Sequence, residues 1–540
     1  MEISISERIE ERKRNYQKGI DLSELKRKRD DDAVELRRKH RLANIHKKRA
    51  VCVDGNQIVS DYNKENLKEF EFPTNFVPTE LAMHENRLIS AEIAPMDRFS
   101  ILLAIINSQN RENLQEALVL LGKLLPFADL AVFNMIFQQE ICSKLIKFLS
   151  EREKEIRSAA AWCMINLSSG PNFIVKSLLD GNLLHALTRA LRDNELNEFL
   201  HYCIWIVGNL AGESLKVRDE AIKAGVLGYL ANFILQNSEI NEKHLSTIIW
   251  TITNLCKGVP YPPDHVFKES FRIIPIALKH NIDDILSNCC YILSYISSAG
   301  VEYVDMIFNS GILPIIILLV NRENYKIQIP ALRVLGNIFS SEINLHTQTL
   351  LNLGVLDSLF KLLDSSKRGI RKESLWCFSN IMGGTDDQIN CVLDHQEVWK
   401  ISNALVDTDM EIQKEALWVI GNASESKNKK TVLRLSGILP QLIRVLQNKE
   451  AGVLKLALKI LEKMLTAGKD CFSSMKYFGV NEIGIKFFEL GGLDVLEDLQ
   501  FHKNSRIYEM VVKIMAEFYG VEEVPDVELQ TEEIPNFVFS

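Results

Sequence analysis

From about residue 96 the hydrophobic pattern is continuously helical. In the segment KESLWCFSNIMGG, Leu375, Phe378 and Ile381, with Cys377, make an apolar face that must pack on neighbouring helices. Glu373, Trp376 and Asn380 fall at i, i+3 and i+7 on a different stripe of the same helix. The segment KEALWVIGNASES repeats the arrangement with Glu415, Trp418 and Asn422. The apolar face accounts for the core, so the Glu–Trp–Asn stripe is expected to look outward.

The motif recurs along the chain as a bulky residue followed four positions later by Asn or Tyr. The pairs are Trp162/Asn166, Trp205/Asn209, Trp250/Asn254, Tyr291/Tyr295, Arg333/Asn337, Trp376/Asn380 and Trp418/Asn422. Successive first members lie 43, 45, 41, 42, 43 and 42 residues apart. A period in the low forties belongs to armadillo or HEAT solenoids, whose units are two or three stacked helices. A second marker keeps the same step: Gly181, Gly225, Gly311, Gly354 and Gly437 each open an apolar helix and suit a helix C-cap or interhelical turn. One Trp at helical spacing is ordinarily core, and one Asn near a helix end is ordinarily a cap; recurrence at fixed spacing sets this series apart. The expected fold is all-α, a right-handed superhelical solenoid of about ten armadillo repeats with a basic amino-terminal arm. Expected bounds are 1–50 for the arm, 51–95 for a linker, 96–520 for the solenoid and 521–540 for an acidic flexible tail. Residues 451–466 contain no Asn, so this eighth unit is expected to serve packing only.

Stacked units would set these stripes side by side as a ladder. Packed helices lie about 8–10 Å apart and an extended peptide advances ~3.3 Å per residue, giving one rung per roughly three peptide residues. An Asn side chain can pair with a peptide N–H and C=O together without reading side chains. Parallel Trp rings form slots for the stems of Lys or Arg, each cation–π contact contributing ~0.5–2 kcal/mol. Glu373, Glu415, Glu213 and Asp386 would then select the cationic heads. The ladder suits an extended, basic peptide.

Charge sharpens that picture. Residues 8–49 carry 16 Lys/Arg against 8 Asp/Glu, while residues 50–540 sum to −14. A basic arm on an acidic body can bind itself. The arm has only a thin apolar stripe and is expected to order on a partner. The ten cysteines show no C-x-x-C spacing, which fits a reducing compartment, and no metal-site histidine spacing occurs. The amino terminus lacks a signal-peptide apolar region. The longest apolar run, residues 311–320, is half the roughly 20 residues of a membrane span and is expected to be a buried helix.

WIVGNLAG, WTITNLCKG, ALRVLGNI and KEALWVIGNAS, together with the basic arm, resemble the importin alpha family over nearly the whole chain. Tyr291/Tyr295 and Arg333/Asn337 fall where that family also breaks its ladder. The resemblance implies a nuclear import adaptor that shuttles between cytoplasm and nucleus, is not an enzyme and takes no cofactor. It implies a major cargo-peptide site on Trp162, Asn166, Gly170, Trp205, Asn209, Glu213, Trp250 and Asn254. It implies a minor site on Arg333, Asn337, Trp376, Asn380, Glu415, Trp418 and Asn422. The arm would bind importin beta and, when free, inhibit the groove, through Lys26, Arg27, Lys28, Arg29, Arg37, Arg38, Lys39, Lys47, Lys48 and Arg49. Implied partners are cargo proteins with basic nuclear localisation signals, importin beta, an export receptor of the CAS type with Ran-GTP on the last repeats, and nucleoporins as possible contacts. No membrane or direct nucleic-acid partner is expected. The chain departs from the family at the lysine pocket of the major site, where Val175 and Glu213 stand for a Thr and an Asp, and at Asn288, where the family commonly has an acid. The minor-site positions are intact, so this chain is expected to lean on the minor site.

Other function classes fit less well. A catenin-like scaffold uses a basic groove, whereas this body is acidic. No Gly-rich phosphate loop, G-x-S-x-G or H-E-x-x-H pattern points to an enzyme. The arm carries Tyr16 as its single aromatic, which argues against nucleic acid.

Overall fold

The computed structural model describes residues 95–519, apart from 109–110, 112, 193–195, 238–239 and 474–480. The arm residues Lys26, Arg27, Lys28, Arg29, Arg37, Arg38, Lys39, Lys47, Lys48 and Arg49 lie outside the described residues, as do most of the linker and the tail. Helix is the only regular structure among the described residues. The chain divides into two units, residues 1–299 and 300–540.

The repeat is two short helices and a longer one, as in Asn344–Asn352, Val355–Leu362 and Arg368–Met382. The long helices carry the ladder, and we number them in chain order. In the first unit they are α1 (Leu114–Leu124), α2 (Lys154–Leu167), α3 (Glu198–Glu213), α4 (Glu242–Cys256) and α5 (Asp283–Ser297). In the second they are α6 (Tyr325–Phe339), α7 (Arg368–Met382), α8 (Met410–Ser424), α9 (Ala451–Ser473) and α10 (Ser505–Tyr519). Within each unit every long helix packs on the next one. The fold is therefore a solenoid of armadillo repeats, with the seven pairs of the ladder on α2 to α8 among the described residues.

Sequence explains where these helices start. Asn197, Asn241, Asn324 and Asp409 cap α3, α4, α6 and α8 by accepting from main-chain N–H groups of the first turn, each cap contributing about 1 kcal/mol. Interiors are wide apolar faces, because each long helix touches two neighbours as well as its own repeat. On α7, Leu375, Cys377, Phe378 and Ile381 are fully buried, as their spacing predicts.

The glycine marker holds with two exceptions. Gly225, Gly311 and Gly354 adopt left-handed φ of 79°, 75° and 75° at the turn into the next helix. At Gly181 the turn is displaced by one residue, and Asn182 takes the left-handed conformation with φ 62°. Asn tolerates that region better than other L-residues, so the neighbouring Gly is not needed for it. Gly437 lies in the 3-10 helix Arg434–Ile438 and makes no such turn. Glu140 holds the equivalent turn before α2 with φ 54°.

Among the described residues no single helix is long and apolar enough to cross a membrane. The run at 311–320 is only partly buried. Its eight-residue helix Leu313–Val320 turns Ile316 and Val320 inward, and leaves Ile315 and Leu318 exposed at 42% and 69%. An isolated helix on the outside of a stack has one buried face, however apolar its sequence.

Candidate functional site

Trp162, Trp205 and Trp250 project from α2, α3 and α4, and Trp376 and Trp418 from α7 and α8; all five are half-buried. Asn166 and Asn209 are buried, at 4% and 1% exposure, while Asn254, Asn337, Asn380 and Asn422 are half-buried. Tyr291 and Tyr295 fill the gap on α5, their rings 6.3 Å apart.

Five of the asparagines donate backward across a repeat boundary. Asn166 Nδ2 reaches the Gly122 carbonyl at 3.0 Å, Asn209 that of Ile165 at 3.1 Å and Asn254 that of Gly208 at 3.0 Å. Asn380 reaches Gly336 at 2.9 Å and Asn422 reaches Ser379 at 2.7 Å. Each acceptor is the residue just before the ladder position of the preceding repeat. The amides were expected to be open to a ligand at both ends. Instead the nitrogen end is partly committed to the stack, because the carbonyl has a lone pair beyond the one its own helix uses. Asn209 also donates to Ser168 Oγ at 2.9 Å, engaging its second proton. With the nitrogen fixed on a carbonyl, the amide oxygen must turn the other way. Among the described residues Asn166 Oδ1 is buried without a hydrogen-bond partner, a deficit of about 1–3 kcal/mol.

The same preceding residue also seats the indoles. A Cβ added to Gly208 would lie 2.2 Å from Trp250 Cζ3, and one added to Gly336 would lie 2.0 Å from Trp376 Cζ3. Gly122 is 3.1 Å from Trp162 on the same measure. These three rings rest on helix backbone that only glycine leaves bare. The residues that match these glycines in the repeats before Trp205 and Trp418 are Ile165 and Ser379, so the glycine seat is not repeated there. This Gly was legible in WIVGNLAG and ALRVLGNI, but a helix-interior Gly signals a seat only once the next helix is known to cross it.

The carboxylates behave less uniformly than the outward stripe predicted. Arg333 Nε and Nη2 both sit 2.9 Å from Glu373 Oε1, so that acid is already paired. Glu415 is buried at 7% exposure. Three residues fall about 60° short of a full helical turn, so the Glu of each stripe leans toward a neighbouring helix and away from its Trp. Asp386 accepts from the Ser426 hydroxyl. Glu213 ends α3 and is exposed. Gly170 follows α2, where an added Cβ would meet the Leu167 carbonyl at 3.0 Å and Phe133 at 3.2 Å. Val175 is 4% exposed on the helix Asn172–Asp180.

The eighth unit keeps the register of the ladder with other residues. Lys459 and Lys463 on α9 stand 41 residues after Trp418 and Asn422 and keep their four-residue spacing. Lys459 is exposed and Lys463 half-buried, and their ammonium groups lie 3.0 and 2.9 Å from the two oxygens of Glu425. Burial would raise the Glu425 carboxyl, but hydrogen bonds from Lys463 and Lys459 and their charge outweigh it and hold it below the ordinary value. The chemistry of this position changes while its register does not, so the Trp/Asn pattern does not mark it.

Residues 12–117 match the family model described as "Importin beta binding domain", and residues 481–533 match "Atypical Arm repeat". The chain is 26% identical over 527 residues to importin subunit alpha-1a of Oryza sativa subsp. japonica, covering 97% of this chain and 94% of that one. It is 27% identical over 536 residues to importin subunit alpha-5 of Arabidopsis thaliana, covering 97% and 95%. The crystal structure of an engineered protein superposes with a TM-score of 0.66 at 19% identity, covering 78% of this chain and 98% of that one, a likeness of fold. With relatives aligned along almost its full length and its basic arm matched separately, the chain is similar to importin alpha subunits from end to end.

Proposed function

We propose that the Trp/Asn ladder holds lysine- and arginine-rich nuclear localisation signals of cargo, and that the basic arm competes for the same ladder when it is free. Likeness to importin alpha subunits, together with the importin beta binding match, supports a nuclear import adaptor without catalysis, working in nucleus and cytoplasm. The observation that carries the finer reading is the backward amide bond. It holds Asn166, Asn209, Asn254, Asn380 and Asn422 each in one orientation, one turn along the helix from an indole. A peptide then meets a preorganised surface and costs it little entropy.

The tethered arm would present Lys47, Lys48 and Arg49 to the ladder at an effective concentration of ~mM. Importin beta, by taking the arm, would release the ladder for cargo; transfer of the arm back would expel it. Cargo would bind at Trp162, Trp205 and Trp250 and at Trp376 and Trp418, with more weight on the second set. The last repeats would meet a CAS-type export receptor with Ran-GTP, and nucleoporins remain candidate contacts.

The test is fluorescence anisotropy of a labelled lysine-rich bipartite peptide. It is titrated with the full chain and with the full chain bearing Lys47→Ala, Lys48→Ala and Arg49→Ala. Tighter binding to the variant, removed by Trp418→Ala with Asn422→Ala, supports the whole reading. Equal affinity takes the arm out of the groove, and no binding by either protein removes the basic-peptide reading. Val175→Thr should raise affinity for a monopartite signal; an unchanged value would end the argument for a weakened lysine pocket.

A further inference from the structure

We propose that Lys459 and Lys463 form an acid-reading rung, which takes a carboxylate side chain flanking the basic stretch of a bound peptide. The inference rests on the groove reading above and adds a subsite to it. In register these two residues replace the indole and the amide of Trp418 and Asn422. They keep the i, i+4 spacing, so both ammonium groups point along one stripe of α9. Lys455, one turn earlier and half-buried, extends the stripe.

The local charge favours an anion. Two ammonium groups share the single carboxylate of Glu425, leaving an excess of one positive charge at the rung. The next acid on α9, Glu462, is engaged by Lys513 of α10 at 2.6 Å and does not neutralise them. A lysine-rich peptide lying over Trp376 and Trp418 would therefore meet repulsion at the following rung, which sets an end to the cationic stretch. An Asp or Glu roughly three residues beyond the last slotted Lys would meet attraction there. The other end of the series in sequence has the same character: Lys123 on α1 stands 43 residues before Asn166, at the ladder position preceding the first pair.

Three labelled peptides test the rung: a basic core alone, the core with Glu-Glu three residues beyond its amino end, and the core with Glu-Glu beyond its carboxyl end. Each is titrated by anisotropy with the full chain carrying Lys47→Ala, Lys48→Ala and Arg49→Ala, and with the same chain carrying Lys459→Gln and Lys463→Gln. One flanked peptide, and only one, should bind about two- to fivefold tighter than the core, the range of an exposed ion pair. The gain should vanish in the Gln variant and at high salt, and grow in Glu425→Gln, where both lysines are released. Core affinity should be unchanged or slightly higher in the Gln variant, which also shows that it is folded. A core that binds without any flank gain, or with a gain that survives in the Gln variant, overturns the rung and leaves the groove standing. A core that does not bind at all overturns the groove reading and the rung with it.

Discussion

The indole of Trp376 lies directly on the backbone of Gly336, with its Cζ3 atom 2.0 Å from where a methyl group on that glycine would stand. Helix propensity alone says that Gly336→Ala should stabilise α6 by about 0.5–1 kcal/mol. The seat says the opposite. Gly336→Ala and Gly208→Ala should each destabilise the fold by about 1–3 kcal/mol through overpacking. They should also shift the tryptophan emission and near-UV circular dichroism. Gly421 occupies the equivalent place on α8, but no indole follows it, and an added Cβ there meets Leu456 at 3.4 Å. Gly421→Ala should be neutral or stabilising by urea denaturation. Equal effects at the three sites would disprove the seat.

The direction of the Asn380 amide can be read chemically. Its nitrogen donates to the Gly336 carbonyl, which also accepts from Ser340 N at 3.0 Å. Asn380→Ala removes one hydrogen bond and should cost about 0.5–1.5 kcal/mol. Asn380→Asp preserves shape but places a carboxylate oxygen against a carbonyl, and should cost more than Ala at neutral pH. Acidification that protonates the Asp should narrow the difference. Denaturation midpoints of the two variants at pH 7 and pH 4.5 settle the order.

Backbone conformation gives a pair of opposite outcomes. No atom lies within 4 Å of a Cβ built on Gly354, yet its φ is 75°. Gly354→Ala should therefore destabilise by about 1–2 kcal/mol through the left-handed conformation alone. Glu140, at φ 54°, carries that strain already, and Glu140→Gly should stabilise by about 0.5–1 kcal/mol. Thermal melts of the two variants should move in opposite directions.

Thiol chemistry should follow burial. Cys142, Cys163, Cys203, Cys256, Cys289, Cys290 and Cys377 are buried free thiols. Burial pushes the Cys256 and Cys290 thiols up to about 12 from an ordinary 9.0, and raises Cys163 and Cys203 as well. A raised folded-state value stabilises fully below the unfolded value and is lost as pH climbs from about 8.5 toward 12. Urea midpoints should fall between pH 7.5 and pH 9.5. With a disulfide reagent at pH 8, fast labelling among the described cysteines should be confined to Cys391 and Cys471, the seven buried thiols reacting only on unfolding.

Much of this architecture is legible in the chain because a repeat tests the same local rule many times. Leu375, Phe378 and Ile381 are fully buried as spacing predicts, and Trp376 and Asn380 emerge on the stripe assigned to them. Other features escaped. Glu373 and Glu415 read as equivalent members of one stripe, yet one pairs with Arg333 and the other is buried. Their fates depend on what the neighbouring helix presents, and local periodicity carries no information about that. The turn at Gly181 moved to Asn182 because two adjacent residues could both supply a left-handed conformation.

What the sequence determined by itself is the period, the helical class, the face each helix buries and the register of the Trp/Asn pairs. These depend on short-range spacing and on composition, which a chain states without reference to its fold. What only the tertiary structure decided is the use of each group: which amide proton joins two repeats, which indole rests on bare backbone, and which carboxylate meets an arginine first. Those outcomes depend on atoms about forty residues apart in sequence and about 3 Å apart in space. Stacking brings them together, and their chemistry begins there.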